Sequence, residues 1–509
     1  GLIHVDQAQM FYTGSNPDIN FNQGVGTPAL NPNATFQIED INQELLSGAN
    51  YFWLVYDVDP NAVENNTVGA TCTAVTVGVN DFAPVPDVGN RVVTLTDSLP
   101  ENVLEFANIG DYAEVGADIN IPENFSLEAW MFPQENAPTA RWILGEVGGA
   151  HLEQVGDEVH FYVFAEGILQ GPARAKVLIN EWNHIAATYD GSFLRIYING
   201  FEGTLASLLS GNTNVGNFEL DNVFSFGASN PGEQPNPMLL DEVKLWDRVL
   251  TLAELREGQH LSLRGTEANL VNYWQFNRMQ SATESLELVG ENYVNINASV
   301  NRPIGLEPVG RGSSHTENIM TGDGLSPTIF GDTNLEITFN TDNPEGDVVV
   351  TYLTNQPFGD DPAPDRSHSP GYWVVNNYGD NNIDAVTMKF NMPDGTVLAP
   401  NPDEYFLHKR GSREFGAWEE MMDGLSDVSV SISGANGDNF VQFMGGNAST
   451  GLKSFSQFIV TSDQSALPIT LLDFSGQRID SERVILHWEV ANQDRASWLT
   501  CNSYWVPLS

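Results

Sequence analysis

Cysteine is nearly missing from this chain: 509 residues hold two, Cys72 and Cys501, far apart and with no metal-ligand spacing around either. That excludes a disulfide framework and a zinc site of clustered thiolates. Basic residues are scarce as well, with 21 Lys and Arg against 67 Asp and Glu, so the formal charge is −46. A surface of that sign repels phosphate, which excludes a nucleic-acid partner held by backbone neutralisation. Long apolar runs are lacking too. Although 41% of the residues are hydrophobic, the runs stop at strand length, short of the ~20 residues that a membrane-spanning helix needs, and no membrane insertion is expected. There is no repeat at a solenoid period and no low-complexity tract. The chain opens GLIHVDQAQMFYTG, already in strand-like alternation, without a signal-peptide pattern.

What is present is β pattern. A chain of this length holds several domains, and throughout it short runs of Val, Ile, Phe, Tyr and Thr are broken by Asn, Asp, Gly and Pro. Stacked sandwiches read this way, so the expected fold class is all-β, as tandem β-sandwich domains. One segment departs: in TLAELREGQHLSL (251–263) the leucines fall near helical spacing, and Thr251 with Glu254 makes a capping box, which predicts a short helix. Proline and glycine break the periodicity at DFAPVPDVGNR (81–91), NRPIGLEPVGRG (301–312) and QSALPITLL (464–472). The resulting division is a partial sandwich at 1–90, a second unit at 91–302, a third sandwich at 313–463 and a tail at 464–509.

The second unit carries the strongest signal. Its segments are, in order, VLEFANIGDYAEV (103–115), FSLEAWMFP (125–133), EWNHIAATYDGSFLRIYINGFEG (181–203) and MLLDEVKLWDRVLTLAEL (238–255). Phe125, Leu127, Ala129 and Met131 alternate with Ser126, Glu128 and Trp130, as a strand with two distinct faces requires. Asn199 and Gly200 supply the positive φ angles of a tight hairpin. Together these segments resemble the laminin-G-like jelly roll of the concanavalin A-like superfamily, over about 200 of the 509 residues. The resemblance implies a sandwich that serves lectins, pentraxin-like proteins, glycosidases and adhesive modules alike. It also implies Ca²⁺, for which Asp111 in the GDY turn and Asp241 in LLDEVKLW are the best-placed carboxylates. Asp241 lies among Leu239, Leu240, Val243 and Leu245 and needs a partner to offset desolvation, whether calcium, a backbone N–H or an arginine.

Catalysis is not expected, and no catalytic residue is assigned. A retaining glycosidase needs two carboxyls about 5 Å apart, which strands of this fold deliver as E-x-D-x-x-E. That pattern is missing, and the acid clusters EQVGDEVH (153–160) and WEEMMD (418–423) are spaced otherwise. For binding, the residues that a sugar-stacking site would use are Trp142, His151, His160 and Tyr162, with Asn230 and Gln234 in the loop SNPGEQPNP. Singly, each reads first as core or ordinary loop.

The flanks add context. In the first unit, FYTGS and NYFWLVYDV resemble the later half of the small sandwich that precedes the propeller in some bacterial neuraminidases. The propeller's Asp-box is missing, so no sialidase activity is carried over. The run 51–56 is apolar on both faces, which predicts a central strand. In the third unit His408, Lys409, Arg410 and Arg413 form a dense basic patch, read as a charged hairpin pairing with Glu419, Glu420 and Asp423 ahead of an anionic-sugar site. The tail LPITLLDFSGQRIDSERVILHWEVANQ resembles the start of a module that precedes type IX secretion sorting domains in Bacteroidetes surface proteins, which implies a secreted or cell-surface location. Its strands 469–474 and 484–490 have edges that could add to the first unit of another copy, giving self-association into head-to-tail fibres. The function expected is extracellular adhesion through the second unit, with a glycan or surface-protein ligand. The alternatives are a fibre subunit and a non-catalytic accessory region of a glycan-degrading enzyme.

Overall fold

The structure, a computed structural model, describes residues 5–14, 24–30, 36–46, 50–58, 67–70, 75–77, 80–82, 89–92, 102–116, 119, 121, 123–165, 168–207, 223–277, 279–281, 283–289, 292–320, 326–339, 344–364, 366–380, 386–392, 404–422, 428–431, 439–444, 455–463, 470–478 and 484–491. Cys72, Cys501 and Asp423 lie outside the described residues. The chain divides into two compact units, one of Gly1–Leu99 with Leu263–Leu270 and one of Pro100–Ser262 with Val271–Ser509. Described strands dominate both, and the fold is all-β.

In the first unit three described strands form an antiparallel sheet in the order Gly24–Leu30, Val5–Gly14, Tyr51–Val58. Here the structure differs from the sequence reading: among the described strands the one holding 51–56 stands at the edge and Val5–Gly14 at the centre. Tyr51 and Phe52 stay 37% and 39% exposed, while Ala8, Phe11 and Tyr12 of the central strand are buried. Apolarity on both faces of a strand records what lies above and below it, and says nothing of how many neighbours flank it.

The second unit begins with a jelly roll of two sheets. One is built around the order Phe193–Ile198, Asn183–Tyr189, Phe125–Pro133, Met238–Trp246. The other has nine strands in the order Ile168–Lys176, Glu158–Ala165, Ala150–Gly156, Ala137–Glu146, Phe224–Phe226, Ala113–Val115, Tyr293–Ile296, Glu284–Leu286, Met279–Ser281. Between them lies one core, to which Phe125, Leu127, Ala129 and Met131 contribute from the first sheet and Leu152, Phe161, Val163 and Phe226 from the second. Each such side chain contributes roughly 1.5–3 kcal/mol by leaving water. The expected turn is present, with φ of 53° at Asn199 and 78° at Gly200.

The second face of Phe125–Pro133 is also buried, which its alternation did not announce. Ser126 accepts from the amide of Leu250 at 2.8 Å and donates to the carbonyl of Arg248 at 2.9 Å, and the indole of Trp130 donates to the carbonyl of Gln259 at 2.9 Å. These contacts seat helix α1 (Leu252–Gly258) and the turn after it. The helix starts at the predicted capping box: Thr251 Oγ1 accepts from the Glu254 amide at 3.3 Å, and Glu254 Oε2 accepts from the Thr251 amide at 2.8 Å.

A further sandwich follows, with Gly312–Ile319, Gly346–Leu353, Tyr372–Asn377, Gln457–Ser462, Tyr405–Arg410 and Glu419–Met422 in one sheet. Leu335–Phe339, Val386–Asn391 and Phe440–Met444 are central to the other. Trp373, Phe390 and Phe443 fill its core. Its basic patch is built into the fold as a paired hairpin, with His408 opposite Glu420 and Lys409 opposite Glu419. Arg410 is buried, lies 4.3 Å from the Trp418 ring centre and donates to Gln457 at 3.0 Å. Arg413 meets Glu181 of the jelly roll at 3.3 Å, and Arg256 of α1 meets Asp347 at 2.7 Å, so the two sandwiches are pinned to each other. In the tail, Thr470–Arg478 and Val484–Ala491 pair with one another as a two-stranded antiparallel ribbon.

Candidate functional site

Along each strand of the nine-stranded sheet, core residues alternate with residues that face away from the core. Leu152, Phe161, Val163 and Ala173 point inward, which turns His151, Glu153, His160, Tyr162 and Arg174 to the opposite face. Register then brings distant side chains together. Tyr162 stands opposite His151, and His151 opposite Gly145. Gly145 stands opposite Ser225, Ser225 opposite Glu114, Glu114 opposite Asn295, and Asn295 opposite Glu284. The result is one row that crosses seven consecutive strands.

At one end the row carries a stack of rings. Trp142 and His151 lie with centroids 4.7 Å apart and planes 13° from parallel, and His151 and Tyr162 lie 5.3 Å apart at 19°. The indole of Trp142 donates to the carbonyl of Ser225, the cross-strand partner of Gly145, at 3.4 Å. No side chain could compete there, since a Cβ on Gly145 would collide with the backbone of Ala150 and His151. Burial pushes His151 down to about 4, so its ring is uncharged at neutral pH and joins the stack without a charge to desolvate. Burial raises the carboxyl of Glu153, and nearby His160 opposes that shift. His160 is held by Glu158 at 3.3 Å.

The other end of the row is a polar cleft of about 300 Å³ lined by Tyr112, Glu114, Pro231, Glu284, Asn295 and Asn297, among others. The Tyr112 hydroxyl donates to Glu114 at 2.7 Å. Pro231 belongs to the loop that carries Asn230 and Gln234. In that loop Asn230 donates to Glu233 at 3.4 Å, and the Gln234 carbonyl accepts from Arg141 at 3.5 Å.

Of the residues singled out for sugar stacking, the structure therefore joins Trp142, His151 and Tyr162 in one stack, sets His160 6.3 Å from Tyr162, and places Asn230 and Gln234 in the loop beside the cleft. Glu114, Asn295 and Glu284 carry no sequence signal. They sit in strands of three or four residues, too short to show a period.

The two carboxylates expected to serve calcium, Asp111 and Asp241, are both buried. Asp111 is fully buried, and its Oδ2 accepts from the backbone amides of Ala107 at 2.8 Å and Asn108 at 2.7 Å, closing the turn. Those two bonds occupy Oδ2 and leave Oδ1 without a hydrogen bond. Asp241, also fully buried, acts on the buried Glu307 of the segment that leads out of the jelly roll, opposing the rise that burial gives the Glu307 carboxyl. Among the described residues no three His, Cys, Asp or Glu side chains gather into a group that could hold a metal ion.

With this geometry in hand, a family comparison bears on the sheet itself. The stretch 107–256 matches a laminin-G family model described as the concanavalin A-like lectin/glucanases superfamily. Residues 107–256 form a concanavalin A-like domain. No curated protein matches the chain. Among solved structures, a candidate carbohydrate-binding protein from Bacteroides ovatus is 14% identical, with a TM-score of 0.35, over 60% of this chain and 90% of its own. A SAP-like pentraxin from Limulus polyphemus is 10% identical, with a TM-score of 0.27, over 41% of this chain and 98% of its own. Domain 4 of an extracellular arabinanase from Geobacillus stearothermophilus, solved with arabinotriose, is 18% identical, with a TM-score of 0.23, over 27% of this chain and 67% of its own.

Proposed function

We propose that this protein binds glycans without cleaving them, through the outward face of the nine-stranded sheet of its concanavalin A-like domain, and that it does so outside the cell as an adhesive surface or secreted protein. The observation that carries the reading is the stack of Trp142, His151 and Tyr162 on one open sheet face. Sugar rings present C–H faces that pack on aromatic rings, and their hydroxyls need acceptors such as Glu153 and Glu114 nearby. The resemblance of the tail to modules that precede sorting domains supports the extracellular placement.

A glycan array with the intact protein tests this, followed by titration of the strongest ligand against Trp142→Ala and Tyr162→Ala. Losing one ring of the stack should weaken binding about tenfold, the equivalent of ~1.4 kcal/mol, with a far-UV circular dichroism spectrum like that of the parent. Equal affinity in both variants would remove the stack from the site.

The tail ribbon favours a second reading. Its strands pair only with each other among the described residues, and a two-stranded ribbon by itself is marginally stable. If it adds to another copy, assemblies seen by sizing chromatography with light scattering should disappear on deleting 464–509. Unchanged particle mass after the deletion would exclude assembly through the tail.

A further inference from the structure

The row that links the ring stack to the polar cleft defines more than a binding face. Accepting that this face binds glycan, we infer that its ligand is a linear, uncharged oligosaccharide lying across the strands, with its rings on Trp142 and Tyr162 and its far end in the cleft of Glu114, Asn295 and Glu284.

Direction comes from register. Along any one strand the outward positions hold two or three of the relevant side chains, as His151 and Glu153 or Glu158, His160 and Tyr162 do. Across the strands, Tyr162, His151, Gly145, Ser225, Glu114, Asn295 and Glu284 stand in line. Six strand spacings of about 4.8 Å make that line ~29 Å long. A single terminal sugar would occupy a fraction of it, whereas a chain of several rings would fill it. In the middle Gly145 carries no side chain, Ser225 is short and buried, and the Trp142 indole reaches the Ser225 carbonyl, so the surface offered to a ligand there is the indole.

Charge selects the class. The row and its borders carry the carboxylates of Glu114, Glu153, Glu158 and Glu284. Of the cations, Arg174 and Lys176 stand on the outermost strand, where Lys176 is engaged by Asp157 at 2.9 Å, and Arg141, beside Trp142, is turned to the carbonyls of Gln234 and Pro235. A chain of uronic or sialic acids would lay its carboxylates within the ~8 Å screening length of these acids and be repelled. Sugar hydroxyls, in contrast, donate well to carboxylate and amide oxygens.

The test is calorimetric titration of the intact protein with cello-, xylo- and manno-oligosaccharides from disaccharide to octasaccharide, and with oligogalacturonates of the same lengths. For the neutral series that binds, affinity should rise at least about tenfold from disaccharide to hexasaccharide and then level off. Glu284→Ala and Asn295→Ala should each cost the hexasaccharide more affinity than the disaccharide, while Trp142→Ala should weaken every length. A disaccharide that already binds as tightly as the hexasaccharide, or oligogalacturonates that bind as well as the neutral chains, would overturn the inference while leaving glycan binding intact. Failure of every saccharide to bind at any length would instead overturn the glycan reading on which it rests.

Discussion

Replacing Lys244 with alanine is expected to destabilise the jelly roll by about 3–5 kcal/mol, the cost of leaving buried charge uncompensated. Lys244 is 2% exposed. Its ammonium donates to the carbonyl of Leu261 at 3.1 Å and stands 3.5 Å from the Glu242 carboxylate and 5.3 Å from the centre of the Tyr273 ring. Two acids depend on it. Glu242 is also held by the Tyr273 hydroxyl and by Gln275 at 3.0 Å. Glu128 accepts from the indole of Trp246 at 2.7 Å and faces His184 at 3.2 Å. Burial alone would raise the Glu128 carboxyl, but His184 and Lys244 outweigh it and hold the group below its ordinary value. Without the cation, both acids either stay charged in a dry setting or take up protons, and either course favours unfolding. Calorimetry should show the drop as a lower unfolding temperature for this domain. Lys244→Met combined with Glu128→Gln should recover part of the loss, because it removes opposite charges together. A cost below about 1 kcal/mol for Lys244→Ala would show that water reaches this cluster.

The residues of that network mark where sequence reading stops. FSLEAWMFP announces a strand and its core face, yet Ser126, Glu128 and Trp130 were assigned to a contrasting face without any sign that helix α1 and its turn would bury them. The helix itself was legible, since the Thr251–Glu254 box is local chemistry, as was the Asn199–Gly200 turn. Trp142, His151, His160 and Tyr162 were legible as the right kinds of residue. Their meeting was not, because it depends on pairing between strands that the chain visits at different times. The need of Asp241 for a partner was read from its apolar neighbours, and the partner is Glu307, from a segment that sequence treats as a linker. In the first unit the run 51–56 misled for a related reason: hydrophobicity reports cover over a strand's faces, and strand order is set by hydrogen bonds along its edges.

Stability should peak on the acid side of neutral and fall in both directions. Burial is the leading cause at each group concerned. His151 and His408 are pushed down to about 4 and His260 to about 3, against an ordinary value of 6.5. A histidine depressed in this way takes up its proton more readily when unfolded, so its share of stability is complete above pH 6.5 and is lost as pH falls toward the folded value. Glu287 and Glu307 are raised from 4.5 to about 7. Their share has the opposite sign: it is complete below pH 4.5 and is lost as pH rises through 7. Each proton exchanged only on unfolding tilts stability by at most about 1.4 kcal/mol per pH unit, and less where water reaches the group. Three histidines against two carboxyls balance at about pH 6.5, where the maximum falls, and the self-repulsion of a chain with a net charge of −46 at pH 7 steepens the alkaline side. Unfolding temperatures measured from pH 3.5 to 8.5 at constant ionic strength check this. Glu307→Gln, which removes this carboxyl and keeps an amide oxygen that can accept from Asp241, should flatten the alkaline decline and move the maximum upward. A parent protein whose unfolding temperature climbs steadily from pH 5 to 8 would mean that these carboxyls are solvated, and that the contact of Glu307 with Asp241 does not hold the segment leaving the jelly roll in place.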